Sequence, residues 1–116
     1  MRVAANIAVA IIALEHIWVL ILEMFLWRKP IGLKTFGLTP EVAKTSAPLA
    51  ANQGLYNGFL AAGLIWSLIA GLHSVAVFFL SCVIVAGIFG AITAKRSILW
   101  VQAAPAAVAL LLELLA

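Results

Sequence analysis

HSVAVFFLSCVIVAGIFGAIT, running from His73 to Thr93, is the stretch on which the fold turns, because it contains no Asp, Glu, Lys or Arg. An uncharged apolar run of this length crosses a hydrocarbon core about 30 Å thick as a helix rising about 1.5 Å per residue. Helix is preferred because backbone amides in lipid must be satisfied within the segment. A barrel strand would need apolar/polar alternation in segments of about ten residues, and the chain lacks it. Val3 to Trp27, Pro48 to Ala70 and Ser97 to Leu115 read the same way.

The whole composition agrees with that segment. The chain has 116 residues, 66% hydrophobic and 9% charged, with a mean hydropathy of +1.23. Soluble domains carry roughly 25% charged residues, so this chain has too little charge to coat a water-facing surface. The prediction is an all-α integral membrane four-helix bundle, a single membrane domain over residues 1–116 with spans at 3–27, 48–70, 73–93 and 97–115. Its first partner is the lipid bilayer. The net charge of +3 is assigned to topology and implies no nucleic-acid partner. Cys82 is the single cysteine; it can form no internal disulfide and reads as an apolar packing residue. A cleavable signal would have to be cut near Ala8-Val9-Ala10, but the apolar run continues to Trp27, so a retained first span is expected.

Arg28, Lys29, Lys34 and Lys44 lie in the first connection and Lys95 and Arg96 in the third, whereas the opposite side has Arg2. The positive-inside rule then places the first and third connections in the cytoplasm and both termini outside, in a multi-pass arrangement in a bacterial inner (plasma) membrane. Gly71 marks a very short second connection, so the second and third helices form an antiparallel hairpin. In the first connection, Thr39-Pro40-Glu41 reads as a helix start: a capping threonine, proline in the first turn and an acid near the positive end. A short interfacial helix through about Thr45 is expected, with Pro30 ending the first span.

Polar residues inside the spans are the candidate functional groups. On the first helix, His16 and Glu23 are seven residues apart and share a face about 10 Å apart along the axis, with Trp27 continuing it. Glu15 lies about a quarter-turn away. A carboxylate at mid-bilayer costs at least about 2.5–3.5 kcal/mol unless it is neutral, paired or wet. On the second helix, Asn52, Gln53, Tyr56 and Asn57 cover an arc of roughly 140° at the depth of Glu23 and His16. Beside that arc, Ala50, Gly54, Gly58 and Ala62 form a small-residue stripe suited to close helix approach. Gln102, on a fourth-helix face that also carries Glu113, reaches a similar depth. Glu113 lies near the outer side, where Arg2 or His73 can pair with it structurally. Pro105 removes an amide donor from this helix and frees the Val101 carbonyl.

The histidines do not make a metal centre, because His16 and His73 differ in depth by roughly 20 Å. Glu23 and His16 are also too far apart for one mononuclear ion, so no metal and no cofactor is predicted. Phosphate-binding loops, dinucleotide fingerprints, nucleophile elbows and zinc motifs are all missing.

Three stretches, LEMFLW (Leu22–Trp27), PIGLKTFGLTPE (Pro30–Glu41) and AANQGLYNGFLAAGL (Ala50–Leu64), resemble a family of small bacterial membrane proteins catalogued as domain of unknown function 1304. The resemblance covers essentially the whole chain. It implies four spans in the bacterial inner membrane and carries over no activity. Glu23, Trp27, Asn52, Gln53, Tyr56 and Asn57 fall on its motifs.

The leading functional expectation is a polar pocket between the first two helices that opens to the cytoplasm and binds a small or amphipathic molecule. Glu23, Asn52, Gln53, Asn57, Tyr56, His16, Glu15, Trp27 and Gln102 are its candidate residues. Lys34 or Arg28 at the mouth would favour an anionic ligand. A second expectation is an accessory subunit of a larger membrane complex or a homo-oligomer, packed through Gly54, Gly58 and Ala62. A third is an intramembrane enzyme using Glu23 as acid/base with Tyr56 or His16.

Overall fold

A computed structural model describes residues 1–116. It is all-helical: α1 (Arg2–Met24), α2 (Pro30–Phe36), α3 (Pro40–Ala70), α4 (His73–Thr93), a π-helical stretch (Leu99–Ala103) and α5 (Ala104–Leu115). By length and composition, α1 and α4 are long and apolar enough to cross a membrane. The chain forms two compact units, one of residues 1–14 with 60–116 and the other of residues 15–59.

One packing rule recurs along the long helices. Buried positions alternate at steps of three and four: Ala5, Val9, Ile12 and His16 on α1, and Ala76, Leu80, Val83 and Gly87 on α4. On α3, Ala43, Ala50, Gly54, Ala61 and Leu64 follow the same rule with larger steps. This mean spacing of about 3.5 residues keeps one seam facing a neighbouring helix.

In the first unit, Val9, Ile12, Ala13, Leu64, Leu80, Val83, Ala106 and Ala109 make one buried cluster. The α3–α4 connection is the expected tight hairpin. Gly71 adopts φ 64°, and the Leu72 amide closes back onto the Ser67 carbonyl at 3.0 Å. A left-handed residue there is strained for anything but glycine. The α4 helix also comes close to the π-helical stretch. A Cβ on Gly87 would lie 2.9 Å from the Ala103 nitrogen and 3.0 Å from its Cα.

The segment leading into α5 starts as a wide turn. The Ala104 amide donates to Leu99 O, five residues back, where the α pattern would use residue 100. The next residue, Pro105, has no amide to give Val101. The helix has already changed register where proline breaks the ladder, as π-bulges do.

In the second unit, three expected boundaries shift. The first helix ends at Met24, short of Trp27, and Pro30 begins α2 where it was expected to end α1. The chain turns because the Leu26 amide bonds Ile21 O at 3.1 Å and the Lys29 amide bonds Leu26 O at 3.1 Å. Pro30 at the first helical position lacks only an amide that would be unpaired anyway. The α2 helix ends on Gly37 at φ 64°. Its Phe36 ring then packs on Trp27, with centroids 4.8 Å apart.

Thr39 caps α3 as expected, its Oγ1 accepting from the Val42 amide at 3.2 Å. The short helix expected to stop near Thr45 does not stop there; it runs through Pro48 and continues as one helix to Ala70. Proline inside a helix costs a hydrogen bond and about 3 kcal/mol. Ala43 and Ala50 are buried on either side of exposed Pro48, so the packed face of α3 continues across the proline. Thr45 and Ser46 also tie back to Glu41 O and Val42 O at 2.9 and 2.6 Å.

Candidate functional site

The candidate site lies within residues 15–59. Glu23 occupies the buried α1 seam one seven-residue step beyond His16; they are 9% and 2% exposed. Seven residues separate them by about 10 Å along the axis. The Nδ2 of Asn57 donates to Glu23 Oε1 at 2.6 Å and also to Gln53 O at 3.2 Å. Every fully buried side-chain nitrogen and oxygen has a partner. Glu23 Oε2 accepts no hydrogen bond from the protein and is not fully buried, and Glu23 lines a neighbouring cleft.

That cleft has a volume of about 460 Å³ and is lined by Glu23, Met24, Phe25, Trp27, Arg28, Lys29 and Ala47. Its walls follow from the early end of α1. The turn after Met24 carries Phe25, Trp27, Arg28 and Lys29 in quick succession past the acid. Trp27 is held on two sides: its Nε1 donates to Ser46 Oγ at 3.0 Å, and its ring meets Phe36. Arg28 and Lys29 are exposed, and the ion pairs of the chain, both on Glu113, include neither of them. The cleft therefore holds a nearly buried acid and two exposed bases that do not neutralise each other.

The Gly54 backbone makes the Glu23–Asn57 contact possible. A Cβ at Gly54 would stand 2.6 Å from Met24 Cγ and 3.1 Å from Glu23 Cβ. One at Gly58 would stand 2.7 Å from Leu20 Cδ1. Ala62, expected on the same stripe, is exposed, and Ala61 takes the buried position. Steps of four residues advance about 400°, so a stripe of them drifts around the helix, while the seam alternates three and four.

The remaining candidates are placed apart from this contact. Asn52 and Gln53 are exposed, as is Tyr56, whose ring leans on Phe59 at 5.9 Å. Glu15 is partly exposed. Gln102 belongs to the first unit, where its Nε2 donates to Val83 O at 3.4 Å. Lys34 is exposed and does not line the cleft, whereas Lys29 does. Sequence reasoning missed Lys29, Phe25 and Ala47, because their convergence depends on where α1 stops. The indole–hydroxyl pair of Trp27 and Ser46, nineteen residues apart in sequence, had no local signal.

The first unit has its own polar cluster. Glu113 is 2% exposed and takes both expected partners: Arg2 at 2.8 and 3.0 Å and His73 at 3.2 Å. Arg2 also reaches Asn6 Oδ1 at 3.2 Å. A cavity of about 180 Å³ adjoins them. No group of three or more His, Cys, Asp or Glu side chains converges as a metal-ligand set.

Comparison with known proteins agrees with the three motifs. Residues 10–114 match the family described as "Protein of unknown function (DUF1304)", and the chain belongs to it. The match takes in Glu15, His16 and Glu113, which lie outside those motifs. The chain is 28% identical over 116 residues, 96% of its length and 97% of the relative's, to "Uncharacterized protein YpaA" of Lactococcus lactis subsp. lactis. No solved structure matches it.

Proposed function

We propose that this family member is a multi-pass protein of the bacterial inner (plasma) membrane that binds a small amphipathic molecule in the cleft beside Glu23. The observation that carries the reading is the divided carboxylate. One oxygen is anchored by Asn57 at 2.6 Å, the other accepts nothing from the protein, and the residue lines a cleft of about 460 Å³. An acid kept on a membrane helix, buried and oriented by a second helix, is costly unless it meets a partner. Pockets with a few convergent polar groups on apolar walls suit small ligands. Phe25, Met24 and Trp27 supply such walls here.

In this reading α1, α3, α4 and the Leu99–Leu115 segment are the four spans. The 31 residues of α3 reach about 46 Å, longer than a hydrocarbon core. Its first two turns then project into the cytoplasm, with α2, Arg28, Lys29, Lys34 and Lys44. Topology is tested in a Cys82→Ser background. A membrane-impermeant maleimide should label Ser74→Cys on intact cells and Thr35→Cys only after lysis; the opposite pattern overturns the orientation.

Binding is tested by mass spectrometry of small molecules retained through purification in mild detergent. The wild-type chain should carry a molecule that Glu23→Gln and Asn57→Leu lose while both variants remain folded and monodisperse. If folded variants retain the same molecule at the same occupancy, the cleft is not its site.

A further inference from the structure

Resting on that cleft reading, we infer that the ligand carries a zwitterionic amino-phosphate head, its ammonium directed inward to Glu23 and its phosphate outward to Arg28 and Lys29. The cleft carries opposite charges at two levels. Glu23 is 9% exposed, whereas Arg28 and Lys29 are exposed at the rim. No nitrogen of either base comes within the 4.0 Å of a carboxylate oxygen that defines an ion pair, although acid and bases line one cavity. Flexible side chains that could neutralise each other are instead separated by space that a ligand can fill.

The order of the charges selects the class of ligand. A purely anionic head satisfies the bases but places negative charge beside the Glu23 carboxylate. A simple amine satisfies Glu23 and leaves the bases unused. A head with both groups matches both levels, and charge-assisted hydrogen bonds are the strongest polar contacts available there. The aromatic edge adds to this, because Trp27 and Phe25 line the same cleft and aromatic faces attract ammonium groups. A bilayer phospholipid and a soluble amino-phosphate share this head chemistry.

The test uses the full chain in detergent, with binding read by native mass spectrometry. Four probes are titrated: dihexanoyl phosphatidylethanolamine, dihexanoyl phosphatidic acid, hexylamine and tail-free phosphoethanolamine. The zwitterionic lipid should bind about tenfold more tightly than the acid-only and amine-only tailed probes. Glu23→Gln, which can still accept from Asn57, should erase the preference over phosphatidic acid. Arg28→Gln with Lys29→Gln should erase the preference over hexylamine. Equal binding of tailed and tail-free zwitterions assigns a soluble amino-phosphate, and a requirement for tails assigns a lipid. Equal binding of all three tailed probes, lost in Ala47→Trp, overturns the zwitterion and leaves the cleft reading standing. Binding of any probe unaffected by Ala47→Trp, or no binding at all, overturns both.

Discussion

The Asn57 amide reaches across from α3 to hold Glu23 Oε1 at 2.6 Å, joining residues 34 positions apart in sequence. Removing the amide leaves a nearly buried carboxylate oxygen without its donor, which costs about 1–3 kcal/mol. Asn57→Leu should therefore lower the thermal midpoint in detergent clearly, and Glu23→Gln less. Double-mutant cycles between polar pairs in membrane helices reach about 1.7 kcal/mol. A coupling between Glu23→Gln and Asn57→Leu near zero would show that the bond contributes nothing to stability.

Glu113 makes the second prediction. It is 2% exposed and held by Arg2 at 2.8 Å and His73 at 3.2 Å. Arg2→Met removes two charge-assisted contacts and should cost about 1.5–3 kcal/mol. His73→Ala removes one contact from a half-exposed ring and should cost about 1 kcal/mol or less. Chemical denaturation of both variants gives the ranking; a larger loss in His73→Ala would reverse the assignment of Arg2 as the principal partner.

Adding a methyl at Gly54 collides first with Met24 Cγ at 2.6 Å, which yields only if the whole Met24 side chain rotates, and it also presses on Glu23 Cβ at 3.1 Å and Leu20 O at 3.3 Å. Gly54→Ala should be tolerated at about 1 kcal/mol by displacement of Met24, whereas Gly54→Val should cost about 1–3 kcal/mol and separate Asn57 from Glu23. Ala62→Val, on an exposed face, should be neutral within about 0.5 kcal/mol. Thermal shifts of the three variants measured together separate a 3.5-residue seam from a four-residue stripe.

Gly87 offers no such give. Its added Cβ would meet the Ala103 backbone at 2.9–3.0 Å, so Gly87→Ala must push α4 from the π-helical stretch. A loss of about 1–3 kcal/mol or more is expected, larger than for Gly54→Ala. Gln102 should move with it, because its bond to Val83 O is already 3.4 Å long. Hydrogen exchange at residues 99–103 should rise in Gly87→Ala, and unchanged protection there would contradict the account.

Much of the architecture was legible because its causes are local. The uncharged run from His73 to Thr93 became α4 over those same residues, and Gly71 made the tight connection its sequence position suggested. Thr39 capped a helix because a threonine before Pro-Glu satisfies a first-turn amide wherever the helix goes on to end. What the cap does not encode is length. Local signals at Pro48 favoured a new start, while burial on both sides of it carried α3 straight through.

The site was half legible for the same reason. Hydropathy and phase singled out Glu23 and Asn57; Glu23 is buried on the α1 seam, and Asn57, half-buried, falls in step with the α3 seam. Asn52, Gln53 and Tyr56 shared the arc but fell outside the seam, because a difference of one or two residues rotates a side chain by about 100–200°. Sequence by itself determined that the chain is helical, where its uncharged runs lie, which residues cap and turn it, and that its buried acids need partners. Only the tertiary structure decided that Asn57 is the partner of Glu23 and that α1 stops at Met24, bringing two bases and two aromatics to line one cleft with Glu23. Those outcomes depend on contacts between residues distant along the chain, whose free energies no local window contains.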